Sequence, residues 1–474
     1  MGVPGNPLTN NFLNKKYFNI AVLVLLLAGS FILESCTDVP SGVNTNSAPE
    51  TYLSLFPDSI ISPHITRIKI TWWGDDPDGL IQGYRFSFDS TNWTYSEGND
   101  STFQLVIVGN DSTFRFWVAA VDDKGNIDPT PASNLFPVYN SPPAVTFNAG
   151  TSIPDTSFPV ATFAWTGTDP DGNSSISKYY YALNDTSNWN ELASSVSSIT
   201  LRQNNGIIPG QNNKLYMKVK DIAGIYSPVV TMPDSGRTWY VRPVIGKILL
   251  IDDYPASLVD NSSAEAFYRS ILDTLPFAHS ELDIKVNSGS NIPKIKNPMF
   301  VETLKLFECV IWYGNRGSAN DQNPNYQLAT ETLPFYIAAG GKLFFSAGFP
   351  NSIDAGFNPV EFAPVDSVTF YQVTGATQQT PTIVIDNNYP ELTIGPTNSP
   401  DRIRGIIQKP SAKVIYKMPF NPTYDTTQIT VCIKDAAVNP KVFLLSVALN
   451  RLNGNGNAVF FLRRILGTDF NIHN

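Results

Sequence analysis

The spacing of hydrophobic residues changes at residue 246, and this change divides the chain. Before it, apolar and polar residues alternate over short runs bounded by Gly, Pro, Asn and Asp, which predicts strands with one buried face. From 247 to 251 the chain reads Lys-Ile-Leu-Leu-Ile, a run without alternation that predicts a strand covered on both faces. The pattern therefore predicts all-β modules followed by an α/β domain.

The β-rich part contains an internal repeat. Trp72-Trp73-Gly74-Asp75-Asp76-Pro77-Asp78-Gly79 corresponds to Trp165-Thr166-Gly167-Thr168-Asp169-Pro170-Asp171-Gly172. In each copy an alternating strand ends on an inward Trp, a Tyr strand follows (Tyr84 matched with Tyr180), and a late strand ends at Asp122 or Asp221. The repeat predicts two small sandwiches, at 49–141 and 142–243. Both resemble fibronectin type III and related immunoglobulin-like modules, a resemblance that implies spacers or binding surfaces.

The Asp-Pro-Asp-Gly loops of both copies are weak candidates for a metal site. Asp76 and Asp78, like Asp169 and Asp171, offer carboxylate oxygens that suit calcium. However, Asp and Gly also form tight turns unaided, and no Glu follows at the distance that an EF-hand requires. We therefore expect structural turns, with calcium weak or absent.

Strands alternate with helices in the rest of the chain, 244–474, which predicts a doubly wound parallel sheet with helices on both faces. The predicted strands are 247–251, 282–286, 309–313, 342–345 and 441–449, and the predicted helices are 262–272, 300–307, 326–339 and 457–466. A Ser-x-x-Glu capping box at Ser262 predicts the start of the first helix. The order resembles the class I glutamine amidotransferase-like fold, through KILLIDD, AAGG before KLFFSAG, and the last strand and helix.

That resemblance implies a nucleophile after the fourth strand, where this chain has Ser346 in place of Cys. A serine nucleophile needs a base, normally His. None of His64, His279 and His473 stands where the family would supply one. We expect the domain to be catalytically silent, with no cofactor.

Asp252, Asp253, Asn315 and Ser346 nevertheless follow predicted strands, so they are expected at the crevice where open α/β sheets bind ligands. Asp252-Asp253 also resembles the magnesium pair of response-regulator receivers. The phosphoacceptor Asp that a receiver needs is replaced by Tyr-Gly-Asn, which excludes that function. A hydrolase that uses Ser346, or a metal at Asp252/Asp253, stays as the alternative.

The amino terminus predicts the compartment. Lys15 and Lys16 precede an apolar run at 20–33, which is short for a membrane span. The run ends in Leu33-Glu34-Ser35-Cys36, which resembles the lipobox of bacterial lipoproteins. That resemblance implies a signal peptide at 1–35, lipid on Cys36 and a flexible tether at 36–48. It also implies an outer-membrane lipoprotein that faces the periplasm or the exterior.

Composition agrees with a secreted protein. Charged residues make up 15% of the chain and aromatic residues 12%, and the net charge of −9 excludes nucleic acid as a partner. Cys309 and Cys432 lie in apolar runs, which predicts buried free thiols. Together these features predict a non-catalytic binding or scaffolding protein, with either glycan or protein as its ligand.

Overall fold

The computed structural model describes residues 46–54, 67–105, 111–148, 155–256, 258, 260–285, 298–315, 325–349, 358–369, 372–373, 380–395, 402–419 and 428–473. The predicted signal peptide and Cys36 lie outside this part of the chain. Ile68–Phe103 and Thr113–Pro137 belong to one compact unit, and Val138–Asn474 belong to a second. In the described residues no helix is long and apolar enough to cross a membrane.

The first module is a β-sandwich of two antiparallel sheets, ordered β1-β2-β5 and β4-β3-β6-β7. Trp72 lies inward from β2, fully buried, and contacts Tyr84 and Phe116. The alternation of the sequence therefore places the core correctly. The strands are β1 Glu50–Leu53, β2 Arg67–Asp75, β3 Ile81–Ser87, β4 Thr94–Ser96, β5 Asp100–Gln104, β6 Asp111–Asp122 and β7 Ala132–Tyr139.

The second module repeats this arrangement with sheets β13-β10-β8 and β12-β11-β15-β16, and it adds a small sheet, β14-β17-β9. The strands are β8 Ala144–Phe147, β9 Thr156–Ser157, β10 Val160–Thr168, β11 Ile176–Leu183, β12 Asn190–Ala193, β13 Ser198–Arg202, β14 Asn212–Asn213, β15 Leu215–Asp221, β16 Val230–Met232 and β17 Trp239–Val241.

One correspondence between the two copies is wrong by a residue. The partner of Tyr84 is Tyr179, because both are buried and both pack edge-on against the core tryptophan. Tyr180 lies on the other face of β11 and contacts Tyr226. The second module carries a short 3₁₀ turn, Asn173–Ser175, after its Asp-Pro-Asp-Gly loop. This turn lengthens the connection to the following strand, so matching by distance alone does not find the equivalent Tyr.

The carboxy-terminal domain, which we call the head, is built on one sheet ordered β19-β18-β20-β21-β29-β28-β27-β24. The first five of these strands pair in parallel, whereas β28, β27 and β24 are antiparallel. The sheet is therefore mixed, and the purely parallel sheet predicted from the sequence is wrong for three strands. Its central strands are β18 Ile248–Asp253, β19 His279–Asp283, β20 Cys309–Gly314, β21 Lys342–Ala347, β27 Ala412–Met418, β28 Ile429–Asp435 and β29 Val442–Leu445, with β24 Ile383–Val384 at the edge.

In the described part of this domain four α-helices pack on the sheet, and two short pairs of strands lie outside it. The helices are α1 Asn261–Thr274, α2 Pro298–Leu304, α3 Tyr326–Ala338 and α4 Ala458–Arg463, and the outer strands are β22 Val365–Val368, β23 Gln372–Val373, β25 Arg402–Ile403 and β26 Ile406–Gln408. Helix α3 accommodates Pro334, as predicted. The predicted capping box is wrong, because α1 begins after Asp260 without a side-chain cap.

The second module packs directly against the head. Phe158 of this module is buried in the head's core and meets Phe307 edge-on at 5.2 Å between ring centroids. Arg202 forms an ion pair with Glu302 of α2 beside this contact. The second module keeps a core of its own around Trp165, while Phe158 belongs to the core of the head, and residues 138–474 form one compact unit.

Candidate functional site

Strand register brings the predicted crevice residues of the head to one edge of the sheet. Asp252 of β18 is level with Tyr313 of β20, and Tyr313 is level with Ser346 of β21. Asn315 comes one residue after Gly314, which pairs with Asp253. The carboxyl ends of parallel strands form this edge. The predicted crevice residues therefore lie at the carboxyl edge of the sheet.

Asp252 is neutralised by a lysine of the same domain. Lys285 Nζ donates to Asp252 Oδ2 at 2.7 Å, and both side chains are buried. Burial alone would lower the pKa of Lys285, but the hydrogen bond to Asp252 and the nearby carboxylates raise it overall. Asp252 Oδ1 accepts the main-chain N–H of Tyr254. Both carboxylate oxygens are therefore engaged within the protein.

Asp253 is completely enclosed. Its Oδ1 accepts the main-chain and side-chain N–H groups of Asn325 at 2.9 and 3.0 Å, and its Oδ2 accepts Trp312 Nε1 at 3.1 Å. Burial raises the pKa of Asp253 to about 7, and the charge of Asp252 adds to this effect. The donors of Asn325 and Trp312 lower the pKa by less than burial raises it.

Asn315 belongs to a buried polar network that ties the loop after β18 to the end of the sheet. Asn315 Nδ2 donates to Tyr254 Oη at 3.0 Å, and Tyr254 Oη donates to Asp260 Oδ2 at 2.6 Å. Arg451 forms an ion pair with the same Asp260 oxygen at 3.0 Å. These groups hold the loops around the crevice in place by satisfying one another.

Ser346 joins the end of β21 to the turn after β29. Its Oγ accepts the main-chain N–H of Leu449 at 2.9 Å and donates to the carbonyl of Val447 at 3.2 Å. Tyr268 Oη lies 3.2 Å from the same oxygen. The side chain is fully buried. This hydroxyl therefore fastens two loops together.

No described histidine lies near Ser346. His279 pairs with Ile248 at the opposite end of the sheet, four residues before Asp252, which corresponds to roughly 13 Å along a strand. His473 is exposed in the last described residues. His64 lies outside the described residues.

Aromatic rings fill the space beside Ser346. Tyr268 of α1 stacks on Tyr313 of β20 with 4.0 Å between ring centroids, and both are buried. Burial raises the pKa of each phenol far above its usual range, so both remain neutral hydrogen-bonding groups. The crevice predicted from the sequence is thus occupied by the protein's own side chains.

A groove of about 450 Å³ opens at the other edge of the head, where β29 begins and α3 ends. Its lining includes Ala338, Phe362 and Val442. The described cavity therefore lies away from the predicted polar residues.

The Asp-Pro-Asp-Gly loops form turns in both modules. Asp78 N donates to Asp76 Oδ1, and Asp171 N donates to Asp169 Oδ1, as expected for Asp side chains that cap their own backbone. Within the described ranges no three His, Cys, Asp or Glu side chains already converge to hold a metal ion. The structure adds a partner that sequence reasoning missed, because the main-chain N–H groups of Ser47 and Ser141 donate to Asp78 and Asp171 from the start of their modules. The repeated Asn-Ser-x-Pro before β1 and β8 was the available signal.

The outward face of the first module carries two exposed aromatic rings. Tyr52 of β1 pairs with Trp73 of β2, and their rings stack at 5.5 Å with 19° between planes. Tyr52 is 37% exposed and Trp73 47%. Glu50 and Asp75 form the next pair of the same two strands on the same face, and both are exposed. The four side chains together are called the Tyr52–Trp73 face below.

The second module lacks this face. The equivalent positions on β8 and β10 carry Ala144, Thr146, Thr166 and Thr168, and the same register pairs them. The two copies therefore share a scaffold and differ in outward chemistry.

No family model and no curated protein matches the chain. Solved β-sandwich structures do show similarity. The fibronectin(III)-like modules of Clostridium thermocellum CbhA are 13% identical, with 41% of this chain and 94% of theirs covered and a TM-score of 0.18. A two-domain fibronectin type III segment from chicken tenascin is 16% identical, with 39% and 97% covered and a TM-score of 0.19. Carbohydrate-binding modules of the β-sandwich superfamily are 13% identical, with 39% and 95% covered and a TM-score of 0.17. The similarity concerns the sandwich fold and assigns no function to the chain.

The raised pKa of Asp253 predicts a pH-dependent stability of the head. Between the ordinary carboxyl pKa of about 3.9 and about 7, the folded chain holds a proton that the unfolded chain has released. The free energy of unfolding should therefore fall as pH rises through this window, by up to about 1.4 kcal/mol per pH unit. Denaturant unfolding of the wild-type chain and of Asp253→Asn between pH 4 and 8 measures this. The variant should lack that part of the slope, and identical slopes would contradict the assignment.

Proposed function

We propose that this chain is a non-catalytic cell-envelope lipoprotein that binds glycan through its first β-module, with the head acting as a scaffold. The observation that carries the proposal is the contrast between the two candidate surfaces. The head crevice is filled and hydrogen-bonded internally, whereas the Tyr52–Trp73 face presents rings and carboxylates to solvent.

The chemistry of the Tyr52–Trp73 face suits a sugar. Aromatic rings pack against the apolar C–H face of a pyranose, and carboxylates accept hydrogen bonds from its hydroxyl groups. The side-chain hydrogen bond with Glu50 raises the pKa of Tyr52, so the phenol stays neutral. Glu50 and Asp75 bring only negative charge, which favours a neutral or cationic glycan over an acidic one.

Removal of the rings should remove glycan binding. Trp73→Ala and Tyr52→Ala should each weaken binding by about tenfold or more, because each deletes stacking area worth roughly 1–3 kcal/mol. Screening of the purified chain on an array of neutral, amino and acidic glycans, followed by calorimetry on the hits, measures this. Phe335→Ala serves as the control, since Phe335 is 64% exposed on the head. Equal loss in the control, or binding only to protein ligands, would contradict the glycan assignment.

The alternative is an extracellular hydrolase that uses Ser346 or a metal at Asp252/Asp253. Acyl transfer needs a base that takes the serine proton, and Ser346 instead donates to a main-chain carbonyl. A metal at Asp252 would have to displace Lys285 from a buried ion pair. Both observations favour a head without catalytic activity over a hydrolase.

Ser346 should not react with a fluorophosphonate probe, and Ser346→Ala should keep glycan binding unchanged. Intact-mass spectrometry after probe treatment measures the first expectation, with a serine hydrolase as positive control. Labelling that disappears in Ser346→Ala would promote the hydrolase.

The lipid anchor rests on Cys36, which lies outside the described residues. Cys36→Ala should abolish incorporation of labelled fatty acid and release the protein from the membrane fraction, while Thr37→Ala should retain both. Unchanged labelling in Cys36→Ala would contradict the anchor.

A further inference from the structure

The two modules share a polar cluster where the chain enters each sandwich. In the first, Asn46 Nδ2 donates to Asp122 Oδ2, and Ser47 N donates to Asp78 Oδ1 at 3.0 Å. In the second, Asn140 Nδ2 donates to Asp221 Oδ2, and Ser141 N donates to Asp171 Oδ2 at 2.8 Å. Each cluster therefore gathers an entering Asn-Ser pair, two loop aspartates and the aspartate at the end of a late strand.

The clusters differ in one cation. In the first module Lys124 Nζ donates to Asn46 Oδ1 at 2.8 Å and brings a positive charge to the carboxylates. Lys124 comes two residues after Asp122, and the residue two after Asp221 is Ala223. Ala223 is buried and has no charge to offer. The second cluster therefore lacks the ammonium group that serves the first.

Two oxygens of the second cluster are left without a donor. Asn140 Oδ1 and Asp169 Oδ2 are both buried, and neither accepts a hydrogen bond. Asp76 Oδ2, the counterpart of Asp169 Oδ2 in the first cluster, is also buried without a partner, so the clusters differ at Asn140 Oδ1, whose counterpart Asn46 Oδ1 accepts Lys124. The exposed fraction of Asn140 is 9%, that of Asp169 is 6%, and Asp171 and Asp221 are each at 1%. A buried carboxylate requires a cation or a full set of donors, and an unmatched buried acceptor costs about 1–3 kcal/mol. The unmatched oxygens of Asn140 and Asp169 therefore point to an external positive charge.

Contrary to the expectation from the sequence that calcium is weak or absent at these loops, we propose that the second module binds one calcium ion through Asn140, Asp169, Asp171 and Asp221, and that Lys124 takes the place of this ion in the first module. All the available donors are oxygens, with no thiol or imidazole among them, which suits a hard cation. In the described residues the carboxylates do not yet converge on one point, and the Asn140 amide nitrogen faces Asp221. Rotation of the Asn140 amide by half a turn places Oδ1, instead of the nitrogen, beside Asp221, where Oδ1 serves as a ligand of the calcium ion.

Calcium fits this cluster better than magnesium. Calcium accepts six to eight oxygens in irregular arrangements, whereas magnesium requires a near-octahedral shell and retains several waters. A cluster buried to this degree leaves little room for retained waters. The proposal is independent of the glycan assignment, which concerns the outward face of the other module.

Calorimetry of the chelator-treated full chain with CaCl₂, and separately with MgCl₂, tests the proposal. We expect one calcium per chain and at least tenfold weaker magnesium binding. Asp221→Asn and Asp169→Asn should weaken calcium binding at least tenfold, whereas the matched Asp122→Asn and Asp76→Asn in the first module should leave it unchanged. Circular dichroism of each variant confirms that it is folded.

Exchange of the cation between modules gives the sharper test. Ala223→Lys should abolish calcium binding, because its ammonium group enters the cluster as Lys124 does in the first module. Lys124→Ala should add a second calcium per chain. Absence of binding at millimolar calcium, two ions bound by the wild-type chain, or one ion unaffected by Asp221→Asn and Ala223→Lys would each overturn the proposal.

Discussion

Compensation of buried carboxylates is the constraint on which this molecule depends. Aspartates stand at the ends of strands in all three domains, and most are withdrawn from water. An isolated buried charge is costly, so each needs a compensating donor or cation. Asp252 has Lys285, Asp260 has Arg451, and Asp122 has the N–H groups of Lys124 and Asn126. The loops that deliver these partners are thereby held in one position.

This constraint explains why the carboxyl edge of the head's sheet presents no open crevice among the residues that the structure describes. A parallel sheet brings polar residues together at its carboxyl edge, and enzymes leave some of these groups free for a substrate. Here Ser346 fastens the turn after β29, and Asp253 is surrounded by Trp312 and Asn325. Tyr268 and Tyr313 fill the remaining space. The same edge that would form an active site is used to close the domain.

The sequence predicted what depends on local pattern. Alternation located Trp72 and Trp165 in the two cores, and the unbroken run at 248–251 located the central strand. The positions of Asp252 and Ser346 at one edge followed from parallel pairing. The antiparallel pairing of β28, β27 and β24 did not follow, since a strand pattern does not encode the direction in which a strand joins the sheet.

The sequence also did not predict the partners that distant residues supply to the buried aspartates. Lys285 and Arg451 are separated from their aspartates by many residues, and only the fold brings them together. The packing of Phe158 into the head could not be predicted either. From the sequence, a single Phe in a β-module would be assigned to the core of that module. The sequence shows the contrast between Lys124 and Ala223. Its meaning depends on the fold, which brings Asn46 and Asn140 to the aspartates that end the late strands.

Divergence between the repeats follows from which positions the shared scaffold leaves free. The core tryptophan, the tyrosine that packs on it and the entering Asn-Ser pair are retained in both copies, because the sandwich and its first loop depend on them. The packing of the sandwich does not depend on the outward positions of the first two paired strands. One copy places Tyr52 and Trp73 there, and the other places threonines. The position two residues after the late-strand aspartate can also vary, because the turn accepts both Lys124 and Ala223. Change at these unconstrained positions gives each copy its own chemistry without disturbing the packing that holds it together.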